Sequence, residues 1–262
     1  MRIGSYLSGH LFFLHVGEKT AAKEKIFQDI LTECPSKPES IEILWEEGLP
    51  VDTIVAQCLK YDIDLLLLGA IQRENMVKFY LGSIARKITR QAPCSVLLLI
   101  KPSVERVPSK HMVVNAFASP QTEDTIMAAF EFAQALGVSL ITLVEEISRS
   151  QVAVNVNDDK SLRRATLRKE KLKRQEISRV NQILERVPEA NKKNKKIRSQ
   201  SIFGKRGYSI GHYAKVARAD LLVMNAKEER SSLLSRLFPK DLEHILSELP
   251  TDVLIVQNRN HE

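Results

Sequence analysis

The chain has 262 residues, 44% hydrophobic and 27% charged, with a formal net charge of +7. That length suits one large domain or two modest ones. No apolar run approaches the roughly 20 residues of a membrane helix. Met1-Arg2-Ile3-Gly4-Ser5-Tyr6-Leu7 has no leader-like apolar core. Cys34, Cys58 and Cys94 show neither pairing nor metal spacing, which fits a reducing, cytoplasmic compartment. The charge is uneven: residues 158–206 carry seventeen Lys and Arg against six acids. The basicity therefore belongs to one segment, not to the fold.

Gly9 to Val16 is a short run of β-formers and predicts a buried strand. Thr20 to Leu31 predicts a helix, ended by Pro35 and Pro38. Ile41 to Trp45 alternates as a strand does. After the turn at Gly48-Leu49-Pro50, Val51, Ile54, Val55, Cys58 and Leu59 fall on one helical face. Asp64-Leu65-Leu66-Leu67-Leu68-Gly69 predicts a strand buried on both faces. A polar loop from Ala70 to Leu81 leads to a helix from Ser83 to about Arg90, and Val96 to Ile100 is a further strand. Strands alternating with helices imply a parallel α/β sheet.

The second half repeats this order. After a Pro- and Ser-containing linker at 102–110, His111 to Ala116 is a strand and Thr122 to Leu136 a helix. Gly137 to Val144 then matches Gly9 to Val16. Ala219 to Asn225 matches Ile63 to Gly69, and Leu249 to Val256 matches Ala92 to Leu99. A duplication accounts for the agreement. The expected domains are 1–101 and 111–262, the second carrying a basic insert at 158–196. Nothing in the first half corresponds to the strand at His111 to Ala116 or to the start of its helix, so the first domain is expected to lack its leading strand, as a truncated or fragmentary start would.

The strand ending at Gly69 is followed by two residues, Gln72, nine more residues and then Gly82-Ser83. Backbone N–H groups and the positive end of a helix dipole would there face a common anion. Together with Asp64 to Gly69 and Gln91-Ala92-Pro93-Cys94-Ser95-Val96-Leu97-Leu98, this spacing resembles the universal stress protein family, here as a tandem pair. The resemblance implies two Rossmann-like, adenine nucleotide alpha hydrolase-like doubly wound parallel sheets, each in strand order 3-2-1-4-5. It implies that Gly69, Gly82 and Ser83 hold the phosphates of ATP (with Mg) and that Val16 and Leu68 lie near the adenosine. Gln72 stands where the family pattern has a second glycine, and it narrows the cradle.

The second copy departs further, with Asn225, Glu228 and Phe238-Pro239 in place of the glycines and serine, and Phe117 where the family has an aspartate. Carboxylate repels phosphate and proline lacks an N–H, so only the first domain is expected to bind nucleotide. The resemblance also implies assembly through the last strands, Val96–Ile100 and Val253–Gln257. Ser161 to Val187 predicts a long helix whose earlier half is nearly all charge, and Lys192 to Lys196 follows as a loop. The segment is either a solvated insert or a site for an anionic partner. Without an H-E-x-x-H motif or a G-x-S-x-G elbow, the expected function is non-enzymatic stress-response regulation. The regulatory tail of a cation/proton antiporter and a weak ATPase are the alternatives.

Overall fold

The computed structural model describes residues 9–33, 40–72, 79–100, 109–152, 157–226 and 240–257. In the first half, β1 (His10–Val16) is followed by α1 (Ala21–Glu33), β2 (Ser40–Glu46), α2 (Pro50–Lys60) and β3 (Leu65–Gly69). The expected loop after β3 instead forms a short hairpin, β4 (Ile71–Gln72) against β5 (Phe79–Tyr80). Then come α3 (Ser83–Gln91) and β6 (Ser95–Leu99). Pro50 opens α2, where its missing N–H costs nothing and its fixed φ suits the first turn.

In the second half, β7 (His111–Asn115) and α4 (Thr122–Leu136) precede β8 (Leu140–Ser148), the four-residue α5 (Arg149–Val152) and the long α6 (Asp159–Arg186). Next are α7 (Glu189–Lys192), β9 (Lys196–Gly204), α8 (Tyr208–Val216), β10 (Leu221–Asn225), α9 (Lys240–Ser247) and β11 (Asp252–Val256). The basic run at Lys192–Lys196 is therefore the end of a helical turn and the start of a strand, not only a loop. α4 stops at Gly137, whose left-handed φ of 72° suits glycine. α6 starts at Asp158, whose carboxylate accepts from Ser161 N–H at 2.6 Å while Ser161 Oγ returns to the Asp158 backbone N–H. The expected linker falls mostly at 101–108, outside the described residues.

The main sheet has seven strands in the order β3-β6-β11-β10-β7-β8-β9. Its second-half portion, β9-β8-β7-β10-β11, is parallel throughout and is the expected 3-2-1-4-5 arrangement. β6 joins β11 antiparallel, with Leu97 opposite Leu254. These two leucines are equivalent in the internal repeat, so the halves meet about a local two-fold axis at this pair. The same relation brings α3 to α9. Arg90 holds Glu243 through two hydrogen bonds of 2.6 Å, and Arg86 Nη2 donates to the Leu246 carbonyl at 3.2 Å. Val96, Leu98, Val253 and Ile255 lie in one core cluster on one side of the sheet, and Leu97 and Leu254 in another on the other side.

The first half is built differently. β1 and β2 pair with each other in a separate two-stranded sheet and are not hydrogen-bonded to β3. β3 is not buried on both faces. Leu67 is 43% exposed and its neighbours are half-buried, whereas Leu221 to Met224 of the equivalent β10 are all buried. The difference follows from cover: α4 packs on β10, and the described residues of the first half hold no counterpart of α4 or β7.

Candidate functional site

Gly69 ends β3, and the space where a side chain would project from it is open to 4 Å. The Ala70 N–H bonds the Leu99 carbonyl at 2.7 Å, which anchors the start of the following hairpin. Gln72 lies in that hairpin with Phe79 as its strand partner. Gly82 precedes α3 in an extended conformation, with φ −56° and ψ 159°, and Ser83 is exposed at the first helical position. The first helical bond runs from Arg86 N–H to the Gly82 carbonyl at 2.9 Å. The N–H groups of Ser83, Ile84 and Ala85 therefore have no acceptor inside the helix. No acid stands in that first turn. The positive end of the α3 dipole is thus uncompensated within its own helix.

Leu68 is half-buried in β3. Val16 is half-buried at the end of β1, in the separate two-stranded sheet. The structure thus places Leu68 and Gly69 at the end of one strand and Gly82 and Ser83 at a helix start, and it seats Val16 in the other sheet. Beside Val16, His15 Nε2 is buried without a hydrogen-bond partner, and its ring meets Trp45 edge-on at 5.2 Å between centroids.

The corresponding region of the second half is filled by its own side chains. The Arg206 guanidinium lies 3.6 Å from the centre of the Phe117 ring, a cation–π contact. Asn225, which replaces Gly69, accepts from Thr125 Oγ1 and donates to Ser119 Oγ at 2.9 Å. The turn after β7 is closed by Asn115, whose Oδ1 accepts the Phe117 N–H at 3.1 Å, and by Thr122, whose hydroxyl bonds the Phe117 carbonyl. Glu228 and Phe238-Pro239 lie outside the described residues.

Two buried acids on β8 complete this packing. Glu146 accepts the N–H groups of Gly207 and Ile210, both at 2.9 Å, and so occupies the N-terminus of α8. Glu145 accepts from Arg179 of α6, which also donates to the Ala116 carbonyl and, through Nε, to Glu176 at 3.0 Å. Burial pushes the Glu145 carboxyl up to about 9, Glu176 pushes it the same way, and Arg179 opposes both. Periodicity and motif spacing single out neither acid, nor Arg179 or Arg206. The available signal was the adjacent pair Glu145-Glu146 inside an otherwise apolar strand.

The second half is thus a doubly wound parallel α/β unit, and the first half repeats its order of elements around a different set of strand pairings. Residues 5–99 match the model of the universal stress protein family. Universal stress protein MJ0531 of Methanocaldococcus jannaschii is 34% identical over 59 residues. That stretch is 22% of this chain and 35% of the archaeal protein, so the chain spans about a third of the relative it matches. In fold the chain resembles a functionally unknown protein, PA1789, from Pseudomonas aeruginosa. That likeness has a TM-score of 0.61 and 17% identity, over 95% of this chain and 82% of the other. It also resembles a universal stress protein from Archaeoglobus fulgidus. There the TM-score is 0.59 and the identity 14%, over 98% and 93% of the two chains. At these identities the likeness is one of fold, and it covers both halves.

Proposed function

We propose that the chain is a non-enzymatic regulatory protein of the stress-response type, whose first half binds an adenine nucleotide and whose second half binds none. The observation that carries this reading is the start of α3. Three N–H groups without helical acceptors, no acid in the first turn and the open flank of Gly69 make an anion-accepting turn. Ser83 would add a hydroxyl to the phosphates of ATP, with Mg²⁺ as their counterion, and Val16 and Leu68 would lie against the adenosine. Gln72, which stands where the family pattern has a glycine, would limit how closely the phosphates approach. In the second half the same region holds the Arg206–Phe117 contact and the Asn225–Thr125–Ser119 bonds. A nucleotide there would have to break them.

Calorimetry of the whole chain with Mg-ATP tests this. The expected outcome is one site per chain, with binding abolished by Gly82→Asp, which sets a carboxylate where phosphate would sit. No heat of binding, or equal affinity in the Gly82→Asp variant, overturns it. The exposed basic half of α6, with Arg163, Arg164, Arg168 and Arg174 turned to solvent, supports an anionic macromolecule as partner. Affinity that falls steeply with salt is the expected signature.

A further inference from the structure

The net charge of the chain has a single source. Residues 160–174, in the first half of α6, hold eight Lys and Arg and one acid, Glu170. That is a net +7, the formal charge of the whole protein, so the remaining residues are neutral in sum. Charge gathered on one element makes a local field that acts on partners of the opposite sign.

The charge is also ordered around the helix. At about 100° per residue, Arg163, Arg164, Leu167, Arg168, Lys171 and Arg174 share one arc of about 140°, and all six are exposed. The same arc continues through Ser178, Asn181 and Gln182, which are exposed too. The face therefore runs for roughly 28 Å along the helix. No acid interrupts it between Arg163 and Gln182. Glu170 lies at its flank, 3.5 Å from Lys173, and Glu176 pairs with Arg179 on the inner side. The opposite arc is already occupied, since Val180, Ile183 and Val187 are buried in the core that covers the sheet.

Toward the end of α6 and beyond it the basic side chains have protein partners. Arg179 pairs with Glu145 and Arg186 with Glu123, while Lys192 and Lys195 donate to main-chain carbonyls. Among the described residues, the side chains of Arg163, Arg164, Arg168, Lys171 and Arg174 make no ion pair or hydrogen bond. Their own spacing is repulsive. Arg164 and Arg168 are four residues apart, and Arg168, Lys171 and Arg174 follow at intervals of three. Like charges so placed destabilise a helix, and a polyanion laid along the face relieves that repulsion.

The composition of the face selects among polyanions. A helix that lies on a membrane needs a continuous apolar face. The apolar side of α6 is turned to the core, and its outer face holds one apolar residue, Leu167. A single nucleic-acid strand needs aromatic rings on which to stack, and residues 159–186 contain none. Phe203 of β9 lies against Lys169 and Lys173, each 5.7 Å from the ring centre, and both lysines point away from this face. A DNA duplex carries a charge per about 1.7 Å of its axis. Its major groove, about 12 Å wide, matches the 10–12 Å diameter of a helix, whereas the major groove of duplex RNA is too narrow. Four of the five free bases are arginines, whose planar guanidinium suits phosphate.

We propose that the outer face of α6 binds double-helical DNA. Arg163, Arg164, Arg168, Lys171 and Arg174 contact phosphates, and Ser178, Asn181 and Gln182 extend the contact to backbone oxygens. The inference rests on the reading of α6 as a surface for an anionic macromolecule and is independent of nucleotide binding by the first half.

The test titrates the full chain into a fluorescein-labelled DNA duplex of mixed sequence and follows anisotropy from about 50 to 200 mM salt. Five neutralised phosphates give a slope of about −4.5 in log affinity against log salt, so affinity falls about 500-fold over that range. Arg163→Gln, Arg164→Gln and Arg168→Gln together leave two contacts. They cut the slope to about −1.8 and weaken binding at least tenfold at the lower salt. Leu167→Glu, which sets a carboxylate in the middle of the face, weakens it as well. Lys193→Gln, exposed but outside α6, leaves the affinity unchanged. All the substituted positions are exposed, so circular dichroism of each variant matches the parent. Heparin, the single strand, an RNA duplex of the same sequence and vesicles containing phosphatidylserine are the comparison ligands. The proposal is overturned if heparin binds and the DNA duplex does not. Tighter binding of the single strand, the RNA duplex or the vesicles also overturns it, as does parental affinity in both the triple variant and Leu167→Glu. Binding of neither heparin nor duplex removes the anionic-partner reading together with this one.

Discussion

Leu98 and Leu67 are the same residue type on neighbouring strands, and truncating each measures how far the two halves form one body. Leu98 is 0% exposed and sits opposite Val253 across the junction. Leu98→Ala removes three carbon atoms at about 0.8 kcal/mol each, roughly 2.4 kcal/mol of transfer free energy. The cavity left between β6 and β11 raises the loss to about 3–4 kcal/mol. Leu67 already has 43% of its surface in water. Leu67→Ala forfeits only about 1.4 kcal/mol and leaves no closed cavity. Urea titrations of parent and variants, followed by circular dichroism, give both numbers. A shared slope with a shifted midpoint is expected for Leu98→Ala. Equal losses for the two variants, or a Leu98→Ala loss below about 1.5 kcal/mol, would refute the continuous seven-stranded core. So would separate unfolding transitions of the two halves.

Other outcomes follow from the buried charges of the second half. The Glu145 carboxyl is raised by burial to about 9, so the folded chain keeps a proton that the unfolded chain gives up above the ordinary carboxylate range. Its contribution to stability is full below that range and is lost as pH climbs toward 9. Glu145→Gln has no proton to lose, so thermal melts from pH 5 to 9 should show the variant gaining on the parent as pH rises; a constant gap would contradict the burial argument. Lys195 donates to the carbonyls of Ala133 and Val138 at 3.4 and 3.2 Å, at the C-terminal end of α4. Lys195→Met should cost about 1 kcal/mol, while Lys193→Met, at an exposed position, should stay within about 0.5 kcal/mol by urea denaturation. Arg206→Ala removes the cation–π contact on Phe117 and should cost about 1–2 kcal/mol without creating Mg-ATP binding in the second half. Calorimetry on a Gly82→Asp background checks the latter.

Hydrophobic period and glycine punctuation placed nearly every strand and helix, because parallel α/β units alternate short apolar runs with amphipathic helices. α4 and β1 lie almost where their patterns begin and end. β3 shows the limit of that reasoning. Four leucines in a row predict burial on both faces, but the sequence of a strand does not contain the helix that covers it. Leu67 is exposed because of what does not lie above it. The site was legible as a spacing of glycines, since α3 does begin at Gly82-Ser83. The β4–β5 hairpin was not, because neither Ile71-Gln72 nor Phe79-Tyr80 is long enough to carry a period. Glu145, Arg179 and Arg206 were missed for a related reason. The contacts that fix them in the fold, Glu145 with Arg179, Arg179 with Ala116 and Arg206 with Phe117, join residues 34 to 89 apart in the chain, and charge alone reads as surface. The lysines at 192 and 195 were read only as basic loop residues. Lys192 instead bonds the Leu184 carbonyl, and Lys195 those at the end of α4.

The two halves depart from a common unit in opposite directions. The second has all five strands of its sheet and its covering helices, but Phe117, Arg206 and Asn225 occupy the turns where a ligand would bind. Such substitutions replace ligand contacts by internal ones, and a sheet complete without ligand has no need of binding energy to fold. The first keeps the open glycine and the free helix start, and its described residues hold no counterpart of β7 or α4. The antiparallel joint at Leu97 and Leu254 explains how such a half stays ordered. It ties β3 and β6 into a sheet already completed by the second half. If the first half binds a nucleotide as proposed, the second half is its scaffold. Loosening the joint with Leu98→Ala should then weaken Mg-ATP binding by the first half, measured by the same calorimetry, and an unchanged affinity would refute this coupling.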